Sequence, residues 1–326
     1  MDIIVSKNIK IDYKIIMWNI RKEIKMNKIV LIGCGNVGMS YAYALLNQST
    51  SVNELVLIDL NKDRIIGEVM DLNHCLAFAP NKIDIKAGDY NDCKDATIVV
   101  IAAGVNQEKG ETRMDLIDKN SKIFKDIINK VMASGFNGIF LVATNPLDIM
   151  TYLTYKYSNL SPNKIIGTGT SLDTARLRYM IAEKIKISPK NVHAYVIGEH
   201  GDSEFVPWSN ANIGLQNIED YLNEKELNEI YVNVKNAAYE IINRKGATYY
   251  GIGMCLVRIT NAILNNENSV ITVSTYDKDN DIFIGLPAII NKKGIKDKIY
   301  VKLNQEETNK LQHSIDVIKE AINKVS

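Results

Sequence analysis

The chain has 326 residues, 46% of them apolar and 24% charged, the balance of a folded globular protein with room for two lobes. Its formal net charge of +1 sets up no long-range field for nucleic acid or an anionic membrane, so a charged ligand must be met locally. No apolar run approaches the roughly 18–20 residues that span a bilayer, and the four scattered cysteines, with no CxxC pair, argue against a disulfide framework or zinc ribbon and for reduced thiols in the cytoplasm.

Residues 1–25, "MDIIVSKNIKIDYKIIMWNIRKEIK", stand apart. Lys7, Lys10, Asp12 and Lys14 interrupt every apolar run, unlike the clean core of a secretory signal. The leader is expected to be a peripheral arm or an upstream start that the cell does not use; mass spectrometry of the native N-terminus separates the two. From Met26 the elements follow in order. "KIVLIG" (28–33) reads as a first strand, then a helix to about Gln48. "ELVLIDL" (54–60), "IDIKAG" (83–88), "ATIVVIAAG" (96–104) and "GIFLVATNP" (138–146) read as further strands, with helices at 62–77 and 115–134 between them. Such alternation predicts a parallel sheet covered on both faces. After about residue 165 the pattern becomes α+β: a helix at 172–186, strands at 191–198, 268–276 and 281–290, and amphipathic helices at 225–245 and 305–324.

"GCGNVG" (33–38) matches GxGxxG, follows a strand and opens a helix, and Asp59 stands 21 residues beyond Gly38 at the end of the next strand. Gly33 permits the turn, Gly35 lets backbone approach a pyrophosphate, and Gly38 lets the helix pack on the sheet. The helix N-terminus then offers free N–H groups to phosphate. Asp59 would accept from ribose hydroxyls and repel a 2′-phosphate, which favours NAD over NADP. "AAG" (102–104) predicts a second close backbone approach. Tyr152 and Lys156 have the Tyr-x-x-x-Lys spacing of short-chain reductases, but those enzymes carry TGxxxGxG, which is not present, and a chance pair is the better reading.

A dinucleotide enzyme that moves hydride on a hydroxy acid needs an acid/base, a carboxylate holder and a group to polarise the carbonyl. Histidine suits the first task; the candidates are His74, His193, His200 and His313. His200 lies in "VIGEHGDSE" (196–204), which reads as a surface loop, half a metal site or a proton-transfer site. With no HExxH spacing and no cysteine nearby, no metal is expected. "GTGTSLDTARLRYM" (167–180) places Asp173 and Arg176 at i and i+3 on a helix start, able to share a cleft. Arg176 suits bidentate capture of a carboxylate; an ordinary acidic helix start with solvated arginines fits the pattern equally well. "GVNQEKGETRMDLIDKN" (104–120) reads as a polar loop able to close over substrate and deliver Arg113 to a developing oxyanion.

From about Met26 to the C-terminus the chain resembles the bacterial-type L-lactate dehydrogenases of the lactate/malate dehydrogenase family: "NQEKGETR", "VATNP", "GTSLDTAR", "IGEHGDSE" and "KGATYYGIG" match the family's blocks in order. The resemblance implies an α/β fold, with an N-terminal Rossmann doubly wound parallel sheet (the NAD-binding domain, 26–165) and a C-terminal α+β substrate domain (166–326). It implies that His200 donates and accepts the proton, that Asp173 orients it, that Arg176 holds the substrate carboxylate and that Arg113 polarises the carbonyl. Asn145 would touch substrate and cofactor, and Thr248 would line the substrate pocket. Val37, Asp59, Arg64, Tyr90, Gly104 and Thr168 fall where the family contacts NAD. Gln107 stands where malate enzymes carry an arginine for the second carboxylate, so pyruvate and lactate are the implied substrates. Arg178 and His193 match positions that bind fructose 1,6-bisphosphate across a subunit interface in bacterial relatives, although non-activated members carry them too. A cytoplasmic homotetramer closing a fermentation is the expected setting, with no nucleic-acid or membrane partner. Malate dehydrogenase is the runner-up, and a non-catalytic NAD-binding protein predicts loss of His200, Asp173, Arg176 or Arg113, all of which are present. The chain departs from the family in lacking a proline before Gly110 and in carrying the leader.

Overall fold

A computed structural model of the protein describes residues 26–105 and 113–324, and of 113–115 the backbone alone. The leader and Gln107 lie outside the described residues, as does the Arg113 side chain. The strands are β1 (Lys28–Ile32), β2 (Glu54–Ile58), β3 (Asp84–Ala87), β4 (Ile98–Ile101), β5 (Ile139–Val142), β6 (Ile165–Gly167), β7 (Asn212–Ile213), β8 (Gln216–Asn217), β9 (Ser269–Asp277), β10 (Ile282–Asn291) and β11 (Gly294–Lys298). The helices are α1 (Asn36–Asn47), α2 (Lys62–Cys75), α3 (Arg113–Ala133), α4 (Leu147–Ser158), α5 (Ser171–Ile185), α6 (Glu224–Lys245), α7 (Tyr250–Leu264) and α8 (Gln305–Asn323).

Strands β1 to β6 are parallel, in the order β3-β2-β1-β4-β5-β6. Their apolar runs are unbroken because helices cover both faces. Side chains alternate between the faces with the strand period of two. Ile29, Leu31, Leu55, Leu57, Ile98, Val100 and Leu141 join one cluster with Leu45 of α1 and Leu256 of α7. Val30, Ile32, Val56, Ile58, Val99, Ile101 and Phe140 join another with Phe124 of α3 and Ile318 of α8. In the second half, β7 and β8 form a small two-stranded sheet of their own. Antiparallel β9, β10 and β11 extend the parallel sheet to nine strands, joined to β6 at the single pair Gly167↔Ser274. A Cβ on Gly167 would lie 2.3 Å from Thr151 Oγ1 and 2.7 Å from Ser274 Cβ, so only glycine fits this seam.

The expected strand at 191–198 forms no ladder. Its period-two burial is present, with Val192, Ala194 and Val196 inside and His193 exposed. Part of its backbone bonds to side chains of α5 and of Thr170 just before it. The Val196 N–H donates to Thr174 Oγ1 at 2.9 Å, Thr170 Oγ1 donates to the Val196 carbonyl at 2.6 Å, and Arg178 Nε donates to the Ala194 carbonyl at 3.1 Å. Only isolated pairings remain, at His193, Ile197 and Gly198. Tyr152 and Lys156 lie on α4, and both donate to Asp281 (3.2 and 2.9 Å), a surface anchoring cluster that accounts for the pair without catalysis.

Candidate active site

The glycine motif forms a cradle. Gly33 has φ +96°, and a Cβ there would meet Ala103 N at 2.4 Å; on Gly38 it would meet the Gly33 carbonyl at 2.0 Å. A Cβ on Gly35 would meet open space, the room a ligand could take. Helix α1 begins at this glycine with no side-chain cap and no acid in its first turn, so its N–H groups face outward as a site for phosphate. Asp59 is tied to the same loop: its Oδ2 accepts from Cys34 N–H at 2.7 Å. These features fit a dinucleotide pyrophosphate. Val37 is half-buried beside the core, Arg64 is exposed and paired with Glu68 at 3.2 Å, Tyr90 is half-buried under Lys130, and Thr168 is buried at the end of β6.

Gly104 is hemmed in: a Cβ would lie 2.6 Å from Thr144 Cγ2. Asn120, fully buried on α3, joins this loop to Asn145. Its Oδ1 accepts from Val105 N–H at 2.9 Å and its Nδ2 donates to the Asn145 carbonyl at 2.9 Å. Sequence reading missed Asn120; a polar residue at a core-facing helical position was the signal that could have found it. Thr248, half-buried, precedes α7.

His200 sits in a pinned loop. Ile197 and Phe205 exchange both backbone hydrogen bonds at 2.9 Å, and Gly198 does the same with Gly285 of β10. Gly198 takes φ +101°, which a side chain rarely adopts. The His200 N–H donates to Asp148 Oδ2 at 2.8 Å, and Ser274 Oγ donates to Asp148 Oδ1 at 2.5 Å. Asp148, 2% exposed on α4, thus ties the His200 loop to the parallel half and to β9. Burial pushes its carboxyl up to about 6 against the pull of those two donors.

The ring of His200 meets the first turn of α5. His200 Nδ1 lies 2.7 Å from Asp173 Oδ2, and Arg176 Nη1 donates to Asp173 Oδ1 at 2.8 Å. Asp173 is 3% exposed. Burial alone would raise its carboxyl, but the His200 and Arg176 charges hold it below the ordinary range. Burial alone would lower the imidazole; the Asp173 charge and hydrogen bond, with Glu204 and Asp148, raise it to about 9. His74, His193 and His313 are exposed. Burial raises the thiols of Cys34, Cys93 and Cys255 to about 12, so none is a nucleophile near neutral pH.

Sequence reading passed over Glu204, four residues beyond His200. It is 4% exposed, and ligand-type atoms of Asp173, His200 and Glu204 lie within 4.8 Å of one another. No spacing motif announces this group, because Asp173 comes from another element. Arg178 lies over the Tyr195 ring, 4.8 Å from its centroid, near exposed His193.

Two family profiles match. Residues 27–167 fit the lactate/malate dehydrogenase NAD binding domain, and residues 170–326 fit the alpha/beta C-terminal domain of the same family. The chain is 53% identical over 309 residues to the L-lactate dehydrogenase of Geobacillus sp. (strain WCH70), covering 92% of this chain and 97% of that one. It is 54% identical over 308 residues to that of Bacillus pumilus (strain SAFR-032), covering 91% and 98%. Among solved structures it is similar to MGS-M5, a lactate dehydrogenase from a Medee basin deep-sea metagenome library, with TM-score 0.89 and 52% identity over 92% of this chain and 99% of that chain. It is also similar to the ligand-bound minor L-lactate dehydrogenase of Enterococcus mundtii, with TM-score 0.90 and 45% identity over 93% and 99%. A nucleotide cradle and a histidine–aspartate–arginine cluster, carried on a chain that both profiles cover nearly end to end, place this NAD-dependent oxidoreductase in the lactate/malate dehydrogenase family.

Proposed function

We propose that the protein interconverts (S)-lactate and pyruvate, with His200 as acid and base. The observation that carries this is the buried Asp173 carboxylate, which takes the imidazole on one oxygen and Arg176 on the other. Bound NAD supplies or accepts the hydride at the substrate's C2. The chain's own residues do the rest. Asp59 receives the ribose hydroxyls, and the α1 N-terminus faces the pyrophosphate. Val37, Arg64, Tyr90, Gly104 and Thr168 line the remaining cofactor path. Arg176 commits one N–H to Asp173 and keeps others for the substrate carboxylate. Arg113, the first residue of α3, would polarise the carbonyl oxygen. Asn145 and Thr248 complete the pocket. In pyruvate reduction His200 gives its proton to the C2 oxygen while Asp173 holds the ring. Charge developing on that oxygen then meets prepositioned donors.

Gln107 selects the substrate. A neutral amide leaves a second carboxylate unpaired, a heavy cost in a water-excluded pocket, whereas the methyl group of pyruvate asks for no partner. The relatives named L-lactate dehydrogenase support the same choice. The test is loss of NADH absorbance, first with pyruvate and then with oxaloacetate. Pyruvate should give the higher kcat/KM by at least about a hundredfold, and equal efficiency would overturn the assignment of Gln107 and favour the malate reading.

The same reading places the enzyme in the cytoplasm as a homotetramer that regenerates NAD at the end of fermentation. Arg178 and His193 would face fructose 1,6-bisphosphate at a subunit interface, where paired cations can take phosphate dianions. Their nearness to the same short segment supports this, although Arg178 Nε is already engaged by the Ala194 carbonyl. The sugar bisphosphate is expected to lower the pyruvate concentration at half-saturation, and a saturation curve that does not move would refute activation.

A further inference from the structure

Carboxyl oxygens of Asp173 and Glu204 lie within 4.8 Å of each other. Both are almost fully buried, and a ligand-type nitrogen of His200 lies within 4.8 Å of both. Ionised carboxylates only accept, so a bond between two carboxyl groups needs a proton on one of them. Two adjacent carboxylates in a buried site also resist joint ionisation. The oxygens of Asp173 already face two donors, Arg176 and His200. The charge therefore settles on Asp173 and the proton on Glu204.

We propose that Glu204 is a positioning residue, a neutral carboxylic acid whose O–H donates to Asp173 and holds it against His200. Burial, with the neighbouring Asp173 charge, moves Glu204 up to about 8, in keeping with this assignment. Other groups face the chain. Asp148 meets the His200 backbone from α4, and Cys255 of α7 is close enough to Asp173 and Arg176 to feel both charges. Glu204 also lines a surface depression of about 380 Å³, with Asp202 of its own loop, Tyr231 of α6, and Glu306, Lys310 and His313 of α8. When Glu204 ionises at alkaline pH, a second negative charge appears beside the imidazole. The imidazole then keeps its proton to higher pH, and pyruvate reduction extends with it.

This rests on His200 being the acid/base, so both are tested in the intact enzyme with NADH and pyruvate. Glu204→Leu removes the donor and should lower kcat about tenfold or more with little change in KM. Glu204→Gln, whose amide N–H can still donate to Asp173, should rescue kcat at neutral pH to within about threefold of wild type. Because the amide never ionises, its alkaline limb of kcat/KM should fall at a pH lower by roughly one unit. Infrared titration of the NAD-loaded wild type should show a protonated carboxylic acid persisting at about pH 7, well above ordinary glutamate, and absent from Glu204→Gln. A glutamine variant as impaired as the leucine variant, an alkaline limb coincident with wild type, or no protonated acid at that pH would each overturn the role given to Glu204. Failure of the underlying reading looks different: wild type would not reduce pyruvate, or the enzyme would be indifferent to replacement of His200.

Discussion

A His200→Asn variant is expected to lose about 10²–10⁴-fold in kcat for pyruvate reduction, the range of a lost general acid, with a smaller change in NADH binding. Asparagine keeps a donor of similar reach but cannot pass a proton at neutral pH. The raised imidazole sets the direction of the pH dependence. Below about 9 the free enzyme carries imidazolium, the form expected to bind pyruvate and donate. Wild-type kcat/KM for pyruvate should therefore fall as pH rises through that region, while lactate oxidation, which needs the neutral ring, rises through it. Stability follows the same sign. A histidine raised from 6.5 to about 9 contributes its full stabilisation below 6.5 and loses it as pH rises through 9. Thermal melts of wild type and the variant should converge across that window. Steady-state kinetics showing His200→Asn within a few-fold of wild type would remove His200 from the chemistry.

Arg176→Lys carries the second large effect. The guanidinium is planar and offers a fork: one N–H is on Asp173 at 2.8 Å, and others remain for a substrate carboxylate. An ammonium is a point charge and cannot serve both in that geometry. Breaking one partner of a buried charge pair costs about 3–5 kcal/mol, which as lost ground-state binding corresponds to a KM for pyruvate higher by about 10²–10⁴-fold. A fall in kcat should accompany it, because Asp173 loses the partner that fixes its second oxygen. Pyruvate saturation curves measure both, and a KM within about threefold of wild type would show that the carboxylate is held elsewhere.

What could be read in the chain was what is local. The run "KIVLIG", then "GCGNVG", then an acid after the next strand, encodes strand, turn and helix within some thirty positions, and the structure keeps that order. Helix α4 escaped notice because it is apolar almost all round: Leu147 through Thr154 are all buried, so no polar stripe marks the 3.6 period. Helix α7 opens with Gly251 and Gly253, poor helix formers. Gly253 is needed there because a Cβ would meet the Ser40 backbone at 2.9 Å where α7 crosses α1. In the site, His200, Asp173 and Arg176 were legible as residue types that suit the chemistry. Asp148, Asn120 and Glu204 were not, since an acid or amide gains its role only when distant segments converge on it. The segment 191–198 shows the reverse case: its burial pattern was readable, but the partners of the Ala194 and Val196 backbone were side chains that no strand pattern foretells.

The one-residue seam between Gly167 and Ser274 bears on how the chain is made. Strands β1 to β6 leave the ribosome about a hundred residues before β9 does, an interval of roughly 5–20 s at ordinary synthesis rates. Until then β6 is an open sheet edge, and Phe140 and Ile165 lack Phe283 and Ile284 of their cluster. The nascent first half is thus the stage at which this enzyme is most open to misassociation. A chain arrested before β9 is the form expected to be held by chaperones, and the arrival of residues 269–290 is the event that releases it.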